Sequence, residues 1–132
     1  MMGIGLLLIR LVVGLSLAGH GSQKLFGMFG GGGLKGTAGF FEKIQIKPGK
    51  TMALAAGLSE FAGGLLFALG FLTPLAALLI VITMLVAIVK VHGQNGYWVT
   101  QSGFEYNLVL MVIAIGVALI GPGLYSIDAL IF

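Results

Sequence analysis

Four residues in this chain could do chemistry that their surroundings do not invite. Arg10 and Glu60 each interrupt an apolar run, and His20 and His92 each close one. A lone charge at the centre of a bilayer costs at least about 2.5–3.5 kcal/mol, so intramembrane charges face a helix bundle and take a partner. Counted from the loop that joins their two segments, Arg10 lies about ten residues in and Glu60 about nine, or roughly 15 and 13 Å. Small residues surround Glu60 at helical spacing (Ala53, Ala56, Gly57, Gly63, Gly64), and Arg10 shares its face with Gly3 and Gly14. Such stripes let another helix come close. An Arg10–Glu60 pair is therefore expected, as a proton- or substrate-handling site or as an ion pair that fixes one helix on another.

The histidines end segments that run in the same direction, so both reach one face, together with Lys24, Lys90, Tyr97, Trp98, Glu105 and Tyr106. Two imidazoles and a carboxylate can hydrogen-bond a quinone headgroup or ligate a metal or haem. No HxxE, HxxH or HExxH spacing supports the metal or haem reading, and no metal site is expected. Plainer roles compete for each residue. A histidine suits a helix C-terminus. Glu105 closes a capping box opened by Ser102, Tyr97, Trp98 and Tyr106 form an aromatic belt, and Lys24 and Lys90 snorkel. No nucleophile–base pair is legible, and Gly30 to Gly33 lacks the Gly-Lys-Ser/Thr of a phosphate loop.

The elements that must carry these residues follow from composition. Of 132 residues 58% are hydrophobic and 8% charged, with mean hydropathy +1.12. A soluble domain carries about a quarter charged residues, so a small polytopic membrane protein is expected, with the lipid bilayer as its first partner. Without cysteine the chain alone has no disulfide, thiolate site or thiol relay. A net charge of +3 gives no footprint for nucleic acid. Apolar runs predict an all-α fold, a single domain over residues 1–132 with a four-transmembrane-helix bundle at about 1–19, 51–72, 75–91 and 104–120. The first is read as a retained helix, because it lacks a basic leader and Arg10 splits it. Thr73-Pro74 caps and opens the third helix. The first loop carries a short amphipathic helix over Thr37–Ile46, expected at the bilayer surface, and the tail from Leu124 is too short to span. Lysines at positions 24, 35, 43, 47, 50 and 90 put the first and third loops in the cytoplasm and both termini outside a plasma (inner) membrane.

Several blocks, in order, resemble the DoxX family of bacterial membrane proteins. They are Gly19-His20-Gly21-Ser22-Gln23-Lys24-Leu25-Phe26-Gly27 after a helix bearing an arginine, Glu60-Phe61-Ala62-Gly63-Gly64 leading into Gly70-Phe71-Leu72-Thr73-Pro74, Val91-His92-Gly93 with Gly96-Tyr97-Trp98, Gly103-Phe104-Glu105-Tyr106-Asn107-Leu108, and Gly121-Pro122-Gly123 through Asp128. The resemblance implies a four-helix integral membrane protein of the kind labelled oxidoreductase-associated, through likeness to a subunit of an archaeal thiosulfate:quinone oxidoreductase. It supplies no catalytic residue. It implies that His20, Gln23, Lys24, Glu60, His92, Glu105 and Asp128, with Arg10, are the residues to follow. The leading expectation is a redox-associated subunit that binds a quinone or a redox enzyme partner at the cytoplasmic mouth, with His20 and His92 on the ligand and Glu60 relaying protons. The alternatives are a small homo-oligomeric exporter or channel-like permease lined by Arg10 and Glu60, and a scaffold that recruits a soluble enzyme through Lys35–Lys50.

Overall fold

The computed structural model describes all 132 residues, as helices and turns with no strand. Six α-helices follow one another: α1 Met2–Phe26, α2 Gly33–Lys43, α3 Gly49–Leu69, α4 Thr73–Ala87, α5 Glu105–Ile120 and α6 Ile127–Ile131. Beyond Ala87, α4 continues through a π-helical turn, Ile88–His92, and a 3-10 turn, Gly93–Asn95. Met2–Phe26, Gly49–Leu69 and Thr73–Asn95 are long and apolar enough to cross a membrane. The shorter α5 has 16 residues, which reach about 24 Å.

The first helix runs seven residues beyond its expected end at Gly19. Gly19 and Gly21 sit inside it, and the stop comes at Gly27, a left-handed C-cap with φ 72°. The glycines serve packing instead. A β-carbon at Gly14 would stand 2.5 Å from the Gly64 carbonyl oxygen and 2.6 Å from the Ala68 nitrogen, and one at Gly21 would stand 2.8 Å from the Gly57 carbonyl oxygen. So α1 and α3 cross in backbone contact, along the two small-xxx-small runs Gly14–Ala18 and Gly64–Ala68.

Around that seam a core forms from Leu6, Val13 and Leu17 of α1, Phe67 of α3, Ala76, Ala77, Ile80 and Met84 of α4, and Leu110, Ala114 and Val117 of α5. The three α5 residues recur at i, i+4 and i+7, the stripe of a helix with one buried face. Large apolar side chains on the other faces, Leu8, Val12, Leu78, Val112 and Leu119 among them, point outward. In water such a surface would drive association; in hydrocarbon it is the solvated one.

At the end of the bundle opposite the lysines, the chain closes on itself. Arg10 is buried, with 1% of its surface exposed, yet its partner is not Glu60. Its Nη1 donates to the Pro122 carbonyl (2.5 Å), and Nη2 donates to the carbonyls of Ala68 (3.2 Å) and Tyr125 (2.9 Å). The expected Arg10–Glu60 pair fails on register. Depth was counted from His20, but α1 ends six residues later, so Arg10 lies level with Gly70 and about ten residues, roughly 15 Å, from Glu60 along α3. Gly70 has φ +65°, and a β-carbon there would stand 3.0 Å from Arg10 Cζ, so this turn needs glycine on both counts.

Asp128 completes this end. It accepts from the Leu72 N–H (2.8 Å), the Thr73 N–H (3.0 Å) and the Thr73 hydroxyl (2.7 Å), while its own N–H donates to the Gly70 carbonyl (2.9 Å). Thr73 was expected to cap α4; it is instead the first helical residue, and the cap arrives from 55 residues away. Likewise the capping box at Ser102 does not form. Ser102 is left-handed (φ 59°), α5 starts without a side-chain cap, and Glu105 Oε1 accepts from the Val99 N–H (3.1 Å).

Burial alone would raise the Asp128 pKa, but the hydrogen bonds from Thr73 and Leu72, with Arg10 nearby, hold it below the ordinary carboxylate value. A carboxylate with a depressed folded pKa stabilises the fold above its unfolded pKa, and the contribution is lost as pH falls through the folded one. The melting temperature in detergent is therefore expected to drop as the pH falls below about 4, and Asp128→Asn to lower it at neutral pH while flattening that acid limb. A second expectation concerns the seam. Gly64→Leu meets backbone atoms that cannot move aside, so its cost exceeds the roughly 1–3 kcal/mol of ordinary overpacking. Size-exclusion chromatography should show aggregated Gly64→Leu and monodisperse Gly5→Leu, where the added side chain meets open space.

Candidate functional site

At the lysine-bearing end lies an open cavity of about 770 Å³. Five helices, α1 to α5, and the turns between them build it. Its apolar wall comes from residues such as Leu17, Phe40, Met52, Ile82 and Val91, and its polar groups are His20 and Lys24 of α1, Glu60 of α3, His92 at the end of α4, and Tyr106 and Asn107 of α5. The helix α2 packs against α1 and α3 and contributes Gly36, Thr37, Phe40 and Phe41 to one side. It starts at Gly33, four residues before the amphipathic segment read from the sequence.

Glu60 is 4% exposed and finds its counter-charge in Lys24, which sits two residues from the end of α1 and forms a salt bridge with it. The seam explains the choice of partner. With Gly21 against Gly57 and Leu25 against Gly57, Glu60 lies level with the last turns of α1, and a lysine stem about 6 Å long bridges the rest. Lys24 was read as a snorkelling anchor; it turns inward because a buried carboxylate needs it.

Hydrogen bonding sets the protons on both histidines. The Phe29 carbonyl can only accept, so it takes the Gln23 Nε2–H (3.2 Å) and turns Gln23 Oε1 toward His20. His20 Nδ1 (3.1 Å) then carries the proton, and its Nε2 accepts from the Tyr106 hydroxyl (3.4 Å) across an edge-to-face ring contact at 6.1 Å. In the same way His92 Nδ1 donates to the Ser102 carbonyl (2.7 Å), which leaves Nε2 as an acceptor. The Asn107 amide donates to the thioether of Met84 (3.5 Å) and turns a buried, unpartnered Oδ1 away.

Of the residues singled out in the sequence, His20, Lys24, Glu60, His92 and Tyr106 line one cavity. Gln23 stands behind His20 and orients it. Trp98 and Glu105 are outside: Trp98 is exposed and packs on Tyr97, and Glu105 holds the turn at Val99. Arg10 belongs to the opposite end. The sequence reading missed Asn107, Ser59, Thr37 and Thr83. Asn107 carried one usable signal, an amide in the first turn of an otherwise apolar helix that needs a partner when buried.

The comparisons with known proteins bear on this arrangement. The chain is 30% identical over 128 residues to "Inner membrane protein YqjF" of Escherichia coli (strain K12), covering 97% of this chain and 92% of that one. It is 32% identical over 130 residues to "Uncharacterized membrane protein Rv3486" of Mycobacterium tuberculosis (strain ATCC 25618 / H37Rv), covering 91% of this chain and 77% of that one. No solved structure matches. The DoxX family pattern spans residues 5–93, which takes in the seam, the lysine–glutamate pair and both histidines, and on these matches the chain is a membrane protein of the DoxX family.

Proposed function

We propose that this protein is a membrane subunit that binds a quinone-class molecule, an aromatic redox headgroup with an apolar tail, for a redox enzyme partner. One observation carries the reading: an open cavity with an apolar wall has its polar side chains converging from α1, α3, α4 and α5. Few convergent polar groups in an apolar cavity are what a small amphipathic ligand needs. In this reading α5 is the fourth span of a four-helix bundle, α2 lies along the membrane surface beside the cavity entrance, and the lysine-bearing loops face the cytoplasm with both termini outside. Glu60, paired with Lys24, takes up or returns a proton when the headgroup changes redox state, and the partner exchanges the electrons, since the chain has no cysteine for thiol chemistry.

The permease alternative loses its main support, because Arg10 spends both terminal nitrogens on carbonyls at the far end and shares no path with Glu60. For the quinone reading, the protein in nanodiscs is expected to bind decylubiquinone saturably at one site per chain. Replacing Thr37 by Val, or Ser59 by Ala, removes a lining hydroxyl able to donate to a quinone carbonyl and should weaken binding several-fold, at about 0.5–1.5 kcal/mol per hydrogen bond. Partitioning no different from that of empty nanodiscs would reject it.

A further inference from the structure

Three of the four helix borders around the cavity are closed by direct contacts. Backbone packing and the Lys24–Glu60 bridge seal α1 against α3. The ring contact of His20 with Tyr106 joins α1 to α5, and the Asn107 amide on the Met84 sulfur joins α5 to α4. The border of α3 with α4 differs. These helices meet at Gly63, where a β-carbon would stand 3.2 Å from that of Leu79. The same two faces continue at helical spacing through Ser59 and Ala55 on α3 and through Ile82 and Val86 on α4, yet there they line the cavity. Ala55 is exposed, and Ile82 and Val86 keep 50% and 48% of their surface open. The cavity therefore opens onto the outside of the bundle between α3 and α4.

This gap lies within both spans. Ser59 is ten residues, about 15 Å, from the start of α3 at Gly49, and Ile82 is thirteen residues, about 20 Å, from Asn95. At that depth the surroundings are hydrocarbon. A cleft left empty there forfeits dispersion contacts on its walls, so a hydrocarbon chain fills it. Behind the gap, next to Ser59, stand buried Glu60 and its partner Lys24. A molecule with a polar head and an apolar tail matches that order, head inside and tail out. A phospholipid keeps its head at the water surface and would lay only methylenes against the charged pair. The geometry points to a ligand that enters from the bilayer through the α3–α4 gap and keeps its alkyl or isoprenoid tail seated there, against Ala55, Ile82 and Val86. On the lysine side α2 covers the cavity with Phe40 and Phe41. The inference rests on the quinone-class reading and adds to it the route of entry and the seat of the tail.

The test illuminates wild-type protein in nanodiscs with a decylubiquinone analogue that carries a diazirine midway along its tail, with and without excess decylubiquinone, and maps the labelled peptides by mass spectrometry. Labels that the excess suppresses at least fivefold are expected on residues 52–59 of α3 and 82–87 of α4. Suppressible labels confined to α1, α2 or α5 would overturn the inference and leave the quinone-class reading intact. Labelling that the competitor changes nowhere would overturn both, and would mean that lipid alone fills the gap. Ala55→Phe narrows the gap from an exposed position and is expected to weaken decylubiquinone binding at least tenfold; unchanged affinity would overturn the seat assigned to the tail. The mapping itself requires no variant to fold.

Discussion

The contact on which everything else depends is the backbone-to-backbone crossing of α1 and α3. In lipid the hydrophobic effect gives no reason for two apolar helices to associate, so close van der Waals packing has to do it. Small residues at Gly14, Ala18, Gly21, Gly57, Gly64 and Ala68 bring the helices so near that a β-carbon at Gly14, Gly21 or Gly64 would collide with the opposite main chain. Such a surface fits in one register only. That register sets Lys24 against Glu60 at one end of the seam and Arg10 against the Gly70 turn at the other.

The two ends then differ in how their polar groups are satisfied. Around Arg10 and Asp128, charge is matched to main-chain groups from three separate segments, and the tail is bound to the α3–α4 turn by hydrogen bonds in both directions. Such a network, in which Arg10 Nε alone of the guanidinium nitrogens lacks a partner, rigidifies a fold. Around Lys24 and Glu60 the charges pair with each other, and beside them His92 and Tyr106 line a cavity with Asn107, whose Oδ1 is buried without a partner. An incompletely satisfied polar cluster in an apolar wall costs stability unless something fills it, which is why function is assigned to that end.

Much of this was legible in the sequence, and the failures share one cause. Apolar runs and the scarcity of charge gave an all-helical membrane chain, and the direction of the helices brought His20, Lys24, His92 and Tyr106 to one face. The glycines at 19 and 21 misled, because a glycine that permits close approach looks the same in sequence as one that stops a helix. Ending α1 at Gly19 rather than Phe26 shifted the apparent depth of Arg10 by nearly two turns and produced the wrong ion pair. The caps failed similarly: Thr73 and Ser102 fit local rules, but the groups that satisfy those turns are Asp128 and Glu105, and a carboxylate 55 residues distant leaves no local pattern. Asn107 was invisible as a site residue until the helix beside it was in place.

The most direct measurement is of the α1–α3 register. The chain has no cysteine, so paired cysteines report without background. A β-carbon at Gly57 would lie 3.3 Å from that of Lys24, close to the separation of about 3.5–4.5 Å found in disulfides. Oxidation of Lys24→Cys/Gly57→Cys protein in native membranes is predicted to give a nearly complete intramolecular disulfide, and Arg10→Cys/Glu60→Cys protein none. Cross-linking of the second pair without the first would contradict the register, and with it the separation of the two polar sites.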